Sequence, residues 1–208
     1  MEKPGGMLRL GFLASHGGTN MQAIIDACRE GRLQAEPRVA ISNNSNSGAL
    51  ERARREGITA CHLSSATHPD PAALDGAILG ALRCHEVEVV CLAGYMRKLG
   101  PRTLAAYRNR VLNIHPALLP RFGGKGFYGE RVHQAVLAAG ETESGPTVHL
   151  VDGRYDHGPI LAQTRVPVLP EDTVETLAAR VLAQEHRIYA DTLQRIATGD
   201  LDLDRYGR

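Results

Sequence analysis

Short apolar runs alternate with amphipathic segments along most of the chain. Residues 8–14, 38–41, 60–63, 88–93 and 111–114 read as buried strands, and 147–151 and 160–168 follow late in the sequence. Helical patterns at 20–29, 48–56 and 71–85 separate the early runs. In the first of them Met21, Ile24, Ile25 and Cys28 recur at i, i+3, i+4 and i+7, one face of a helix. Gly57 stands where the second helix needs its C′ residue. A long helix over 172–197 is predicted to open on a capping box, Asp172 with Glu175. Strands alternating with helices, joined by right-handed crossovers, predict an α/β architecture. The expected form is an open, mostly parallel seven-stranded sheet with helices on both faces. One domain is expected over residues 7–197, with 1–6 as a leader and 198–208 as a tail, both poorly ordered; Met7 offers a second start.

Sheets of this kind take ligands beyond the carboxyl ends of their strands. Four polar segments fall after strands: 15–20, 94–97, 113–120 and 152–158. The most informative contains Asn113-Ile114-His115-Pro116. Residues two apart on a strand share a face, so Asn113 and His115 project together, and Pro116 biases His115 toward an extended backbone. An amide able to bind an oxyanion beside an imidazole suits catalysis. A polar strand end with a satisfied histidine explains the same residues equally well. In the segment 152–158 either Asp152 or Asp156 would bring a carboxylate to His115, raising its pKa and relaying protons. The local sequence does not separate the two.

The segment Ser15-His16-Gly17-Gly18-Thr19-Asn20 joins a strand to a helix, with Thr19 or Asn20 as the predicted N-cap. Its glycines and the first-turn amides suit a phosphate, although it is neither a Walker A loop nor G-x-G-x-x-G. At about 100° per residue, Glu185 falls on the same stripe as Leu177, Val181 and Ile188, where a carboxylate needs a partner. The loop Gly94-Tyr95-Met96-Arg97-Lys98-Leu99 either receives a flat heterocycle or simply buries Met96 and Leu99.

Composition narrows the classes further. With 43% hydrophobic residues, 23% charged residues and a net charge of +1, the chain is globular and has no basic field for nucleic acid. It has no Trp to build a base-stacking platform. Cys28, Cys61, Cys84 and Cys91 form no framework and no C-x-x-C, which suits a reducing cytoplasm. The histidines show no metal-ligand spacing, so no metal is expected. The apolar runs are shorter than the roughly 18 residues a membrane span needs.

Taken in order, these motifs resemble the phosphoribosylglycinamide formyltransferases, folate-dependent enzymes of early purine synthesis. The resemblance runs from about Leu8 to Tyr189 and includes 15–20, Gly94-Tyr95-Met96-Arg97, Asn113-Ile114-His115-Pro116, Lys125-Gly126-Phe127-Tyr128-Gly129, Val132-His133, Thr147-Val148-His149, Asp156 with Gly158-Pro159, and Gln184-Glu185-His186. It implies a Rossmann-like fold, 10-formyltetrahydrofolate as co-substrate and donor, and glycinamide ribonucleotide as acceptor. It also selects Asp156 over Asp152. Asn113, His115 and Asp156 are then the catalytic set. Gly17, Gly18, Thr19 and Asn20 hold the ribonucleotide phosphate, Glu185 meets the glycinamide end, and Met96, Arg97 and Leu99 line the folate pocket. The implied partners are small-molecule substrates, without nucleic acid or membrane, and the family allows a homodimer. Two positions depart from the pattern: Lys98 replaces a commonly apolar residue, and 66–71 lacks the arginine that some relatives use for the folate tail.

Overall fold

The computed structural model describes residues 6–207. Its elements are β1 (Leu8–Leu13), α1 (Thr19–Arg29), β2 (Ala35–Ser42), α2 (Gly48–Arg55), β3 (Thr59–His62), α3 (Pro71–Cys84), β4 (Val89–Leu92), α4 (Pro101–Ala106), β5 (Val111–His115), α5 (Glu130–Ala138), β6 (Glu143–Ser144), β7 (Thr147–Leu150), β8 (Ile160–Gln163), β9 (Val166–Pro167) and α6 (Val174–Ala197). A seven-stranded sheet runs in the order β3-β2-β1-β4-β5-β7-β8. Its pairs are parallel from β3 to β5, whereas β7 and β8 are antiparallel to their neighbours. The expected mostly parallel, seven-stranded α/β sheet is therefore present.

Alternation along the strands divides the core into two layers. Leu10 and Phe12 pack with residues of α1 and α6 on one face, while Leu13, Val90 and Val111 pack with Ile78 and Leu82 of α3 on the other. Apolar residues on both sheet faces are what make the central strands read as continuous hydrophobic runs. Tyr189 is fully buried under the sheet, and its hydroxyl lies 3.2 and 3.0 Å from the carbonyls of Leu92 and Leu112. That contact fixes α6 against β4 and β5 one turn beyond Glu185. No helix among the described residues is long and apolar enough to cross a membrane.

Three expectations need correction. The predicted strand 160–168 is two strands, because β9 leaves the main sheet to pair with β6. Val168 N continues that pairing by donating to Thr142 O at 2.9 Å, past Pro167, which has no N–H to offer. The capping box of α6 is formed by Thr173 and Thr176, not Asp172 and Glu175. Asp172 instead accepts from Leu169 N and from Arg180, whose guanidinium holds its carboxyl well below the usual range. The tail also packs: a 3-10 turn spans Leu203–Gly207, and Leu203 is buried in the core of the α1/α6 face. Residues 1–5 of the expected leader lie outside the described residues.

Two helices escaped the periodicity reading. α4 is short, and its cap comes from a distant residue: Asp75 of α3 accepts from Arg102 N and Thr103 N at 2.8 and 3.0 Å. α5 begins after Gly129, which offers no side-chain cap to signal the start.

Candidate active site

Successive connections leave β1 toward β2 and β3 on one side, and β4 toward β5 on the other, so strand order reverses between β1 and β4. Such a switch point opens a crevice at the carboxyl ends of the strands. Ser15, buried at the end of β1, locks its two walls. Its amide donates to Gly94 O at 3.0 Å, and its hydroxyl accepts from Met96 N at 2.7 Å and donates to Asn43 Oδ1 at 2.5 Å.

The first wall is the start of α1. Gly18 is its N-cap, in the left-handed region at φ 70°, and an added Cβ would lie 2.8 Å from Ala49 Cβ. Thr19 and Asn20, expected as caps, are instead the first two helical residues. With glycine at the cap, no side chain occupies the first-turn amides, which leaves them directed at a ligand. Asn20 turns inward, and its Nδ2 donates to Glu185 Oε2 at 2.6 Å. Burial raises the pKa of Glu185, and the Asn20 bond opposes the shift only in part. Asn20 Oδ1 is buried without a partner among the described residues. An unpaired acceptor beside a nearly enclosed carboxyl is unfavourable until a donor, such as an amine or hydroxyl, fills the site.

The second wall lies on β5 and β7. His115 is 4% exposed, with Nδ1 3.5 Å from Asp156 Oδ2. Its Nε2 donates to Phe122 O at 2.7 Å. His149 of β7, at 2% exposure, donates from Nδ1 to Leu150 O at 2.8 Å. In the neutral ring Nε2 accepts from Asn113 Nδ2 at 3.1 Å, and it stands 3.5 Å from Asp156 Oδ1. Asp156 also accepts from Gly124 N at 2.9 Å. Burial raises its pKa, but His149, His115 and Gly124 outweigh that and hold it below the usual carboxylate range.

The net direction at His115 differs from the expectation. Asp156 does raise its pKa, but burial lowers it more, so the imidazole titrates below its ordinary value. Asp152 points elsewhere: it accepts from Arg154 N at 2.9 Å and pairs with His157 Nδ1 at 2.8 Å at the surface.

Asn113, His115 and Asp156 thus meet in one cluster, and Asn20 meets Glu185 in a second contact at the start of α1. Gly17 lies at the turn, its carbonyl accepting from Arg52 Nε at 2.9 Å. Met96 and Arg97 are exposed on the β4 side, whereas Leu99 is buried in the core of the α3 face. The sequence reading assigned no role to His149 or to a second buried imidazole, His133. The Nδ1 of His133 has no partner among the described residues, and burial and then the proximity of His115 lower its pKa. Alternation did carry a signal for His149, because it shares a strand face with Thr147 near the signature of β5.

A family model described as formyl transferase matches residues 8–193. The chain is 37% identical to phosphoribosylglycinamide formyltransferase of Escherichia coli strain K12, over 92% of this chain and 88% of that one. It is 42% identical to the chloroplastic phosphoribosylglycinamide formyltransferase of Vigna unguiculata over 90% of its own residues, and spans 60% of that relative's length. Glycinamide ribonucleotide transformylase 1 from Symbiobacterium toebii superposes with a TM-score of 0.89 at 46% identity, covering 96% of this chain and 92% of that one.

Proposed function

The chain belongs to the formyl transferase family, and from that premise we propose that it transfers the formyl group of 10-formyltetrahydrofolate to the amine of glycinamide ribonucleotide. The product would be formylglycinamide ribonucleotide, on the route to purines. The observation that carries this reading is that Asp156 stands 3.5 Å from both His115 and His149, while His149 holds Asn113 at 3.1 Å, beside a strand-order crevice.

The residues fit both substrates. The amides at the start of α1, over Gly17, Gly18, Thr19 and Asn20, suit the ribonucleotide phosphate. Asn20 Oδ1 and Glu185 offer acceptors to the glycinamide end. Exposed Met96 and Arg97 would contact the folate, with Leu99 supporting that loop from the core. When bound, 10-formyltetrahydrofolate supplies the formyl carbon. As the amine attacks, the N–H of Asn113 not bound to His149 meets the charge growing on the formyl oxygen. Neutral His115 takes the proton lost by the amine on Nδ1. Asp156 stabilises the resulting imidazolium until the proton passes to the departing nitrogen. Holding two substrates in register supplies much of the remaining acceleration.

Purified protein incubated with 10-formyltetrahydrofolate, with and without glycinamide ribonucleotide, tests the proposal. Acceptor-dependent release of tetrahydrofolate is the expected result. Release without acceptor would make the protein a hydrolase, and no release would overturn the reading.

A further inference from the structure

Two backbone groups on one loop hold the two titrating side chains of the site. Phe122 O accepts from His115 Nε2 at 2.7 Å, and two residues later Gly124 N donates to Asp156 Oδ2 at 2.9 Å. A carbonyl only accepts, so its short contact places the imidazole proton on Nε2. Nδ1, facing Asp156 across 3.5 Å, is then the nitrogen with the free lone pair.

The loop reaches this arrangement through unusual backbone. Phe122 has φ 54°, Gly124 φ 95° and Asp156 φ 52°, all in the left-handed half. For Phe122 such a conformation is strained and persists only where the surroundings enforce it. The Phe122 ring is held edge-on by Phe127 at 6.4 Å between centroids, and Arg121 lies over it at 5.3 Å. Between the two bonding residues, a Cβ added at Gly123 would press on Leu119 Cδ2 and lie 3.2 Å from Asp156 Cβ, so both side chains would have to shift.

We propose that the segment Phe122-Gly123-Gly124 selects Nδ1 as the working nitrogen of His115, with Phe122 and Gly123 as positioning residues. The Phe122 carbonyl occupies Nε2, so only Nδ1 exchanges a proton with the reacting groups. The Gly124 amide meanwhile keeps the Asp156 carboxylate beside Nδ1, and the missing Cβ of Gly123 allows that approach. This deepens the proposed function, because it rests on His115 as the proton carrier.

Two-bond 1H–15N spectra of 15N-histidine-labelled protein read the tautomer directly, with His115→Gln identifying the His115 signals. Above the imidazole titration, His115 is expected in the Nε2–H form; an Nδ1–H form or a rapid mixture overturns the proposal. Phe122→Leu keeps the carbonyl and should keep that tautomer. Gly123→Ala presses on Leu119 and Asp156, and should lower kcat/KM roughly 10²-fold, as ångström-scale misplacement of a catalytic group does. It should also mix the tautomers and move the acid limb of the pH profile. A Gly123→Ala protein with the wild-type tautomer and pH profile removes Gly123 from the assignment. Should that variant not fold, the wild-type and Phe122→Leu spectra still decide. Because the spectra need no turnover, an Nε2–H tautomer in a protein without transferase activity would overturn the function and leave the loop's role standing.

Discussion

Asn113 and His149 are register partners across the antiparallel pair of β5 and β7, and their side chains meet at 3.1 Å between Nδ2 and Nε2. His149 is held in turn by the Leu150 carbonyl, so the neutral imidazole accepts from Asn113. The amide of Asn113 is thereby oriented by a neighbour that need never touch substrate. His149→Ala should lower kcat by roughly 10²-fold with little change in KM, as misplacement of a transition-state donor does. In a double-mutant cycle, Asn113→Ala should add little to His149→Ala. Steady-state kinetics of the four proteins would check this, and additive losses would show that the residues act separately.

His115→Ala or Asp156→Asn should each reduce turnover by about 10²–10⁴, the usual contribution of a positioned acid–base group. Burial sets the His115 pKa below 6.5, so its basic form persists to lower pH and the acid limb of kcat/KM should fall below that value. For stability the sign is the same. The folded protein binds fewer protons here than the unfolded chain, so stability declines as pH falls below 6.5 until the lower folded pKa is passed. Stopped-assay pH profiles and thermal melts would test both parts.

Glu185→Gln separates stability from binding. The carboxyl pKa is raised from 4.5 on folding, so the native state holds its proton longer and stability declines as pH rises above 4.5 until the folded pKa is passed. The glutamine variant should lose that decline and melt higher than wild type near neutral pH. If Glu185 binds the acceptor, its KM for glycinamide ribonucleotide should rise in the same variant. Melting curves across pH, with kinetics at one pH, would read the two effects independently.

Thr147 is fully buried where three segments meet. Its hydroxyl donates to Ala117 O at 2.6 Å and accepts from Leu119 N at 3.1 Å and Gln163 Nε2 at 2.9 Å. Thr147→Val keeps the shape but leaves those groups without their partner. The expected loss is about 1–3 kcal/mol, the cost of leaving a buried polar group unsatisfied. Denaturant unfolding would measure it, and an unchanged midpoint would show that water replaces the hydroxyl.

The strand and helix pattern was legible because its causes are local. Apolar runs mark strands covered on both faces, and the helical spacing of Met21, Ile24 and Ile25 marks a buried stripe, as their exposures bear out. The pairing of Asn113 with His115 was legible for the same reason, since both lie on one short strand. What escaped were features whose partner is distant in sequence. Asp75 caps α4, Ala49 forces the glycine cap of α1, and Glu185 finds Asn20 across 165 residues. None of these leaves a periodic trace.

The clearest division concerns Asp156. By itself the sequence determined that a carboxylate loop follows a strand, and with the family resemblance it selected Asp156 over Asp152. The expectation that this loop sits beyond a carboxyl strand end, beside the others, had the wrong geometry. β7 runs antiparallel to β5, so it finishes at the opposite end of the sheet, where Val151 N donates to Val111 O. The loop then doubles back across β5 and β7 to bring Asp156 within 3.5 Å of His115 and His149. Strand direction is set by long-range pairing and by what each face must bury, and neither is written in a local window of residues. Only the tertiary structure therefore decided which groups surround the carboxylate, and that burial outweighs Asp156 in setting the His115 pKa.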